Sequence, residues 1–275
     1  MNELGEMTKQ VQMAKALRMR RLFDTDGKAV IVAMDGARSG PSQGLEHPRE
    51  AVRRVVAGGA DAIMTTFGMA RAVADLLGRA GLILALDSEG PVSGYGIEAA
   101  LRLGADAVEL KAEPDEPHRL ADVRNLASEA DKWGMPFLVE MLAASWQVAL
   151  EDSEENVNRV TRAARVGAEA GADLLKVHYV GPPSSYERVV DRVYVPLLVM
   201  GGPKMETTLD ALRMAQSAIQ AGASGVVFGR NIVASADPER TVRALRYVVH
   251  DGTGAEEAYE AAGLGERLAH VGGAR

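Results

Sequence analysis

Eight short, almost wholly apolar runs punctuate the chain: AVIVAMD (29–35), ADAIMTT (60–66), GLILALDS (81–88), ADAVELKA (105–112), PFLVEML (136–142), ADLLKVHY (172–179), VPLLVMGG (195–202) and SGVVFGR (224–230). Each is short for a helix and apolar on both alternating sets of positions, the pattern of a strand covered on both faces and hence of a parallel sheet. Between them lie mixed apolar and charged segments with helix punctuation. Pro48 after His47 opens a helix that stops at Gly58-Gly59. A short helix ends near Gly78 and another at Gly104. A long polar helix over about 116–133 ends at Gly134, and Ser153 is placed to cap a helix ending at Gly171. A helix is expected over 205–221, one starting at Asp237-Pro238, and a short one around 255–262. Residues 7–23 read as an amphipathic helix that would plug one end of the fold or serve an interface. Glu3, Glu6 and the lack of a small-residue cleavage pattern argue against a targeting segment.

A weak repeat reinforces the pattern. Gly-Ala-Asp recurs at 59–61, 104–106 and 171–173, and Gly-Ala-Ser at 222–224, each where a helix gives way to a strand. Eight strand–helix units in about 220 residues match an α/β fold of the (β/α)8 (TIM) barrel type with an extra N-terminal helix. One barrel domain over 1–275 is expected, with the extra helix in 1–28 and a tail in 254–275. A doubly wound open sheet is the rival, but the Gly36–Gly44 loop lacks the Gly-x-Gly-x-x-Gly turn that such a fold usually carries after its first strand.

Composition narrows the function classes. A net charge of −7 argues against a nucleic-acid partner. No apolar run approaches the ~18 residues of a membrane span, and a cytoplasmic location is the expectation. The absence of cysteine excludes disulfides, thiol catalysis and thiolate metal sites. The histidines (His47, His118, His178, His250, His270) are scattered, so neither a metal nor another cofactor is expected. Lysine is scarce: Lys9, Lys15, Lys28, Lys111, Lys132, Lys176 and Lys204 against 31 basic residues in all.

That scarcity sharpens the sixth run, where Lys176 sits inside an apolar strand. Such a lysine is either paired, turned to water, or held as a nucleophile by burial that lowers its pKa, the state a Schiff-base lysine needs. In a barrel the working residues lie at the C-terminal strand ends. That rule selects Asp35, the 87–89 stretch, Glu109, Lys111, Glu140, Lys176, His178 and Tyr179. Alternation places Lys176 and His178 on one face and Tyr179 on the other. Glu140 is either an acid/base or the partner of Lys176, and Glu109 and Lys111, on one face of strand four, are read as a pair of their own. After strands seven and eight, Gly201, Gly202, Gly229 and Arg230 offer backbone N–H groups and a guanidinium, the make-up of a barrel phosphate site.

The stretch MDGARSGPSQGLEHPREAVRRVVAGGADAI resembles the first units of the archaeal-type class I aldolases. These include fructose-bisphosphate aldolase, amino-dideoxy-heptulosonate synthase and the C7 synthase of aminohydroxybenzoate pathways. GADLLKVHYV resembles their lysine strand, and VPLLVMGGPK with ASGVVFGRNI their phosphate turns, the resemblance spanning about residues 17–260. It implies that Lys176 forms the Schiff base with a phosphorylated ketone, dihydroxyacetone phosphate being the donor expected. Asp35 would move protons, and Gly201, Gly202, Gly229 and Arg230 would hold the phosphate. It also implies a lyase working without a cofactor on a small phosphorylated substrate, assembled as a homo-oligomer, with large rings among the forms known in the family. Two departures stand out. The family's Met-Asp-His-Gly reads Met34-Asp35-Gly36-Ala37 here, and its proton-transferring tyrosine on strand five is matched by Leu142. Glu140, His178 and Tyr179 are the candidates to replace that tyrosine. A biosynthetic aldolase acting on an amino-acid semialdehyde, with Arg38 as carboxylate anchor, is the leading expectation. The alternatives are a fructose-bisphosphate aldolase, a coenzyme-A-dependent thiolase using the same lysine, a phosphosugar isomerase, and a non-catalytic barrel.

Overall fold

The computed structural model of the chain describes residues 3–36, 43–86 and 96–265. Arg38 and the 87–89 stretch lie outside the described residues. Strands β1 (Ala29–Ala33), β2 (Ala62–Thr65), β3 (Gly81–Ala85), β4 (Ala107–Ala112), β5 (Phe137–Met141), β6 (Leu174–Val177), β7 (Leu197–Met200) and β8 (Gly225–Phe228) pair in parallel in chain order, and β8 closes on β1. This is a TIM barrel, with alternating helices around it. The helices are α1 (Glu3–Met19), α2 (Pro48–Ala57), α3 (Phe67–Val73), α4 (Ile97–Arg102), α5 (Pro117–Trp133), α6 (Glu154–Glu169), α7 (Pro183–Val190), α8 (Thr208–Gln220), α9 (Arg230–Val233), α10 (Pro238–Val249) and α11 (Ala255–Ala261).

Local chemistry sets the helix ends. Ser153 accepts a hydrogen bond from the Asn156 N–H at 3.1 Å, and Asp237 accepts from Arg240 N–H at 3.1 Å. Thr207 and Asp210 form a reciprocal capping box, so α8 starts at Thr208 rather than at Met205. Gly134 closes α5 in the left-handed conformation with φ of 58°.

Alternation along the strands divides the core in two. Outward residues such as Val30, Val108, Val139, Leu175 and Val199 pack beneath the helices. Inward residues (Ile31, Met64, Ile83, Leu138, Leu174, Leu198 and Val227) fill the barrel. Its N-terminal end is stoppered by Leu22, with Met19 and Phe23 against it. The plug is therefore the turn that follows α1. The helix itself is less amphipathic than its sequence suggests, since Met13 and Leu17 are exposed.

The Gly-Ala-Asp repeat has a structural job. Asp61 accepts from Val30 N–H at 2.7 Å, Asp106 from Leu82 N–H at 3.0 Å and Asp173 from Phe137 N–H at 2.8 Å. Each carboxylate thus satisfies a donor at the first or second residue of the preceding strand. Each also carries a cation, Arg246 on Asp61, Arg21 on Asp106 and Lys15 on Asp173. The repeat therefore falls before β2, β4 and β6, with Ser224 in the matching place before β8, and divides the barrel into four like quarters.

Candidate active site

At the C-terminal end of the barrel the inward positions turn from apolar to charged. The β5–β6 register sets Glu140 beside Lys176, and the β4–β5 register sets Lys111 beside Glu140. Lys176 is 7% exposed and Glu140 3%, and Lys176 Nζ donates to Glu140 Oε2 at 2.8 Å. Lys176 is therefore paired and does not reach water.

The pair is ionised. Burial is the largest single influence on Lys176 and pushes its pKa down. Glu140, Asp35 and Glu109 together push it up and prevail, so the ammonium is held above the usual lysine range. Burial likewise pushes Glu140 up, but Lys176, Lys111 and His178 bring it below the usual carboxylate range. This corrects the expectation that burial alone would free the amine. Three carboxylates gathered on one lysine outweigh its desolvation, and the neutral nucleophile must be generated by handing a proton to a neighbour.

Asp35, half-buried beyond the end of β1, belongs to this group through its charge on Lys176. Lys111 acts on Glu140 and Glu109 acts on Lys176, so the four side chains form one shared cluster. His178 is 2% exposed, and its Nε2 lies 3.3 Å from the Ser145 carbonyl oxygen. Tyr179 faces the other way. Its ring lies 5.2 Å from that of Tyr186, in the layer between strands and helices. As a proton-transfer candidate it is therefore set aside, because alternation carries its hydroxyl out of the barrel.

The turns after β7 and β8 are tied to each other. Arg230 Nη2 donates to the Gly202 carbonyl at 2.6 Å, and Asn231 Nδ2 donates to the Gly201 and Pro203 carbonyls at 2.9 and 3.1 Å. Asn231 Oδ1 accepts from Met205 N–H at 2.8 Å. Gly202 has φ of +60°, and a Cβ on Gly229 would lie 2.9 Å from the Ala33 carbonyl oxygen, so both positions require glycine. The Arg230 guanidinium lies 4.3 Å from the Trp146 ring centroid, and burial lowers its pKa. Trp146 and Ser145 stand in the loop after β5, so that one loop touches both Arg230 and His178. Neither was suggested by the sequence, where the only signal was a tryptophan in a chain holding two.

An ionised buried lysine beside a proton acceptor, next to a glycine–arginine turn, is equipped to condense with a ketone bearing an anionic group. Sequence comparison agrees. The profile of DeoC/LacD family aldolases matches residues 29–235. The chain is 34% identical over 265 residues to an uncharacterized aldolase of Saccharolobus solfataricus, covering 88% of this chain and 96% of that one. It is 35% identical over 267 residues to the 2-amino-3,7-dideoxy-D-threo-hept-6-ulosonate synthase of Halobacterium salinarum, covering 91% and 97%. A solved Schiff-base-forming fructose-1,6-bisphosphate aldolase superposes with a TM-score of 0.74 at 28% identity, covering 86% of this chain and all of that one. The fold and the matches define a class I aldolase, a lyase. The chain belongs to the DeoC/LacD family of aldolases.

Proposed function

We propose that Lys176 is the Schiff-base lysine and that the donor is a phosphorylated ketone, with dihydroxyacetone phosphate as the leading candidate. The observation that carries this reading is the 2.8 Å Lys176–Glu140 pair, seated inside the barrel near the Gly201–Gly202 and Gly229–Arg230 turns. Glu140 accepts a proton from Lys176 as the ketone arrives. The amine lone pair attacks the carbonyl carbon, and Glu140 returns its proton to the carbonyl oxygen. The Asp35 carboxylate takes a proton from the nitrogen and passes it to the new hydroxyl, which leaves as water while the nitrogen lone pair forms the C=N bond. The iminium acidifies the adjacent C–H, the enamine adds to an aldehyde, and hydrolysis returns the amine. Arg230 and the glycine N–H groups hold the phosphate and set the reacting carbon.

The similarity to a hept-6-ulosonate synthase supports a biosynthetic aldol addition, with an amino-acid semialdehyde as the acceptor class and Arg38 as its anchor. Loss of selectivity for carboxylated aldehydes in Arg38→Ala is the check, and unchanged selectivity removes Arg38 as the anchor. A homo-oligomer working in the cytoplasm remains part of the proposal.

Borohydride trapping tests the core of it. Incubation with dihydroxyacetone phosphate followed by reduction is expected to leave a stable adduct on the peptide containing Lys176, absent from Lys176→Met. An active protein that yields no adduct would refute imine chemistry at this lysine.

A further inference from the structure

Carbon–carbon bond making at an iminium needs a base for the adjacent C–H and an acid for the new alkoxide. Glu140 is already bonded to Lys176. The next inward position on its strand is Leu142, a buried side chain with no proton to exchange. His178 stands two residues beyond Lys176, just past the end of β6, and is buried.

The geometry of His178 is informative. A carbonyl oxygen only accepts, so the 3.3 Å contact with Ser145 assigns the ring hydrogen to Nε2. Nδ1 then carries a lone pair. That atom is buried and has no hydrogen-bond partner among the described residues. A buried basic nitrogen without a partner among the described residues is open to water or to a reacting group. Both Glu140 and Lys176 act electrostatically on the ring, and burial keeps it neutral by lowering its pKa. A neutral imidazole whose buried Nδ1 has no partner among the described residues, two residues from Lys176 on the same alternating face, is in the state required of a general base.

Resting on the Schiff-base reading above, the geometry points to His178 Nδ1 as the base that converts iminium to enamine and the acid that completes the aldol addition. Nδ1 takes the proton from the carbon next to the imine. The C–H electron pair becomes the enamine double bond, and the C=N pair withdraws onto nitrogen. The positive charge passes from iminium to imidazolium, which the Glu140 carboxylate stabilises. When the enamine carbon attacks the aldehyde, the alkoxide takes the same proton back from Nδ1, and the imidazole is neutral again.

The test separates imine formation from proton abstraction. His178→Gln keeps an N–H for the Ser145 carbonyl and removes the base. With dihydroxyacetone phosphate as the probe, wild type is expected to give a borohydride adduct and to exchange deuterium from solvent into the carbon next to the imine, read by NMR. His178→Gln is expected to give the adduct to the same extent while exchange falls about 100-fold or more. An adduct with undiminished exchange would overturn the role of His178 and leave the Schiff-base reading intact. Wild type without an adduct would overturn both. If His178→Gln gives no adduct, His178→Ala decides. Added imidazole must then restore exchange, as a missing base allows and a missing structural contact does not, and no restoration counts against the proposal.

Discussion

At the scale of single residues the site turns on how a buried lysine is kept charged. Three carboxylates hold Lys176 above its ordinary pKa of 10.5, so its amine is scarce at neutral pH. Trapping rates should therefore climb with pH on the alkaline side. In Glu140→Gln one of those charges is gone, and an opposite charge in contact is worth about 1–3 pKa units. The alkaline limb of the trapping rate is expected to move to lower pH by that amount, and an unmoved limb would mean that the pair does not control the amine. The same contact predicts a stability effect. Lys176→Met leaves the Glu140 carboxylate buried without its main cation, which costs about 3 kcal/mol. Adding Glu140→Leu removes the stranded charge and should restore most of the loss in urea unfolding. Equal instability of the single and double variants would contradict this.

At the scale of elements, what could be read from the chain was whatever lies within one strand and its turn. Lys176 stood out because its own run is apolar, and the glycine–arginine turns because glycine and arginine are contiguous there. The charge state of Lys176 was not readable, because it depends on the stagger of β4, β5 and β6, which brings Lys111, Glu140 and Lys176 to one level. Nor was Trp146, whose loop follows β5 yet reaches the β8 turn. Its ring lies on Arg230, so Trp146→Ala should loosen the guanidinium. KM for a phosphorylated donor is expected to rise about 5-fold or more, the equivalent of ~1 kcal/mol of cation–π contact, with little change for an unphosphorylated ketone. Equal losses for both would place the effect elsewhere.

At the opposite mouth stands His250, the C-cap of α10, whose Nδ1 lies 3.1 Å from Asp26 and whose Nε2 lies 2.9 Å from Asp61. Arg246 occupies the same cluster, bonded to Asp61 and Asp24. Burial and Arg246 pull the His250 pKa down, but Asp61 and Asp26 raise it above 6.5 overall. A raised folded pKa contributes stability below the unfolded value and loses it as pH climbs through the folded value. Thermal stability should accordingly fall as pH rises from about 6.5, the ordinary histidine value, and His250→Asn should flatten that slope.

At the scale of the molecule, the barrel separates holding together from reacting. The carboxylates of Asp61, Asp106 and Asp173 sit where strands begin, and the Lys176 cluster sits where strands end. Each of the three aspartates joins a backbone donor to a cation from another part of the chain, so the quarters of the barrel are pinned to each other and to α1, the turn that follows it, or α10. Asp173 shows the consequence most simply. It takes the Phe137 N–H at 2.8 Å and Lys15 of α1 at 2.9 Å, three residues before Lys176 on the same segment. Asp173→Ala strands a donor at the foot of β5 and releases α1. A lost partner for a buried backbone group costs about 1–3 kcal/mol, a large share of the stability of a single domain. Because the damage lies at the far end of β6 from the amine, the folded fraction should retain wild-type kcat and KM. Arg230→Ala should do the reverse, raising KM for a phosphorylated donor with little change in unfolding free energy. Measuring both quantities on both variants tests the separation. If Asp173→Ala lowers kcat per folded molecule, strain at the base of β6 reaches Lys176, and the two ends of the barrel are coupled rather than independent.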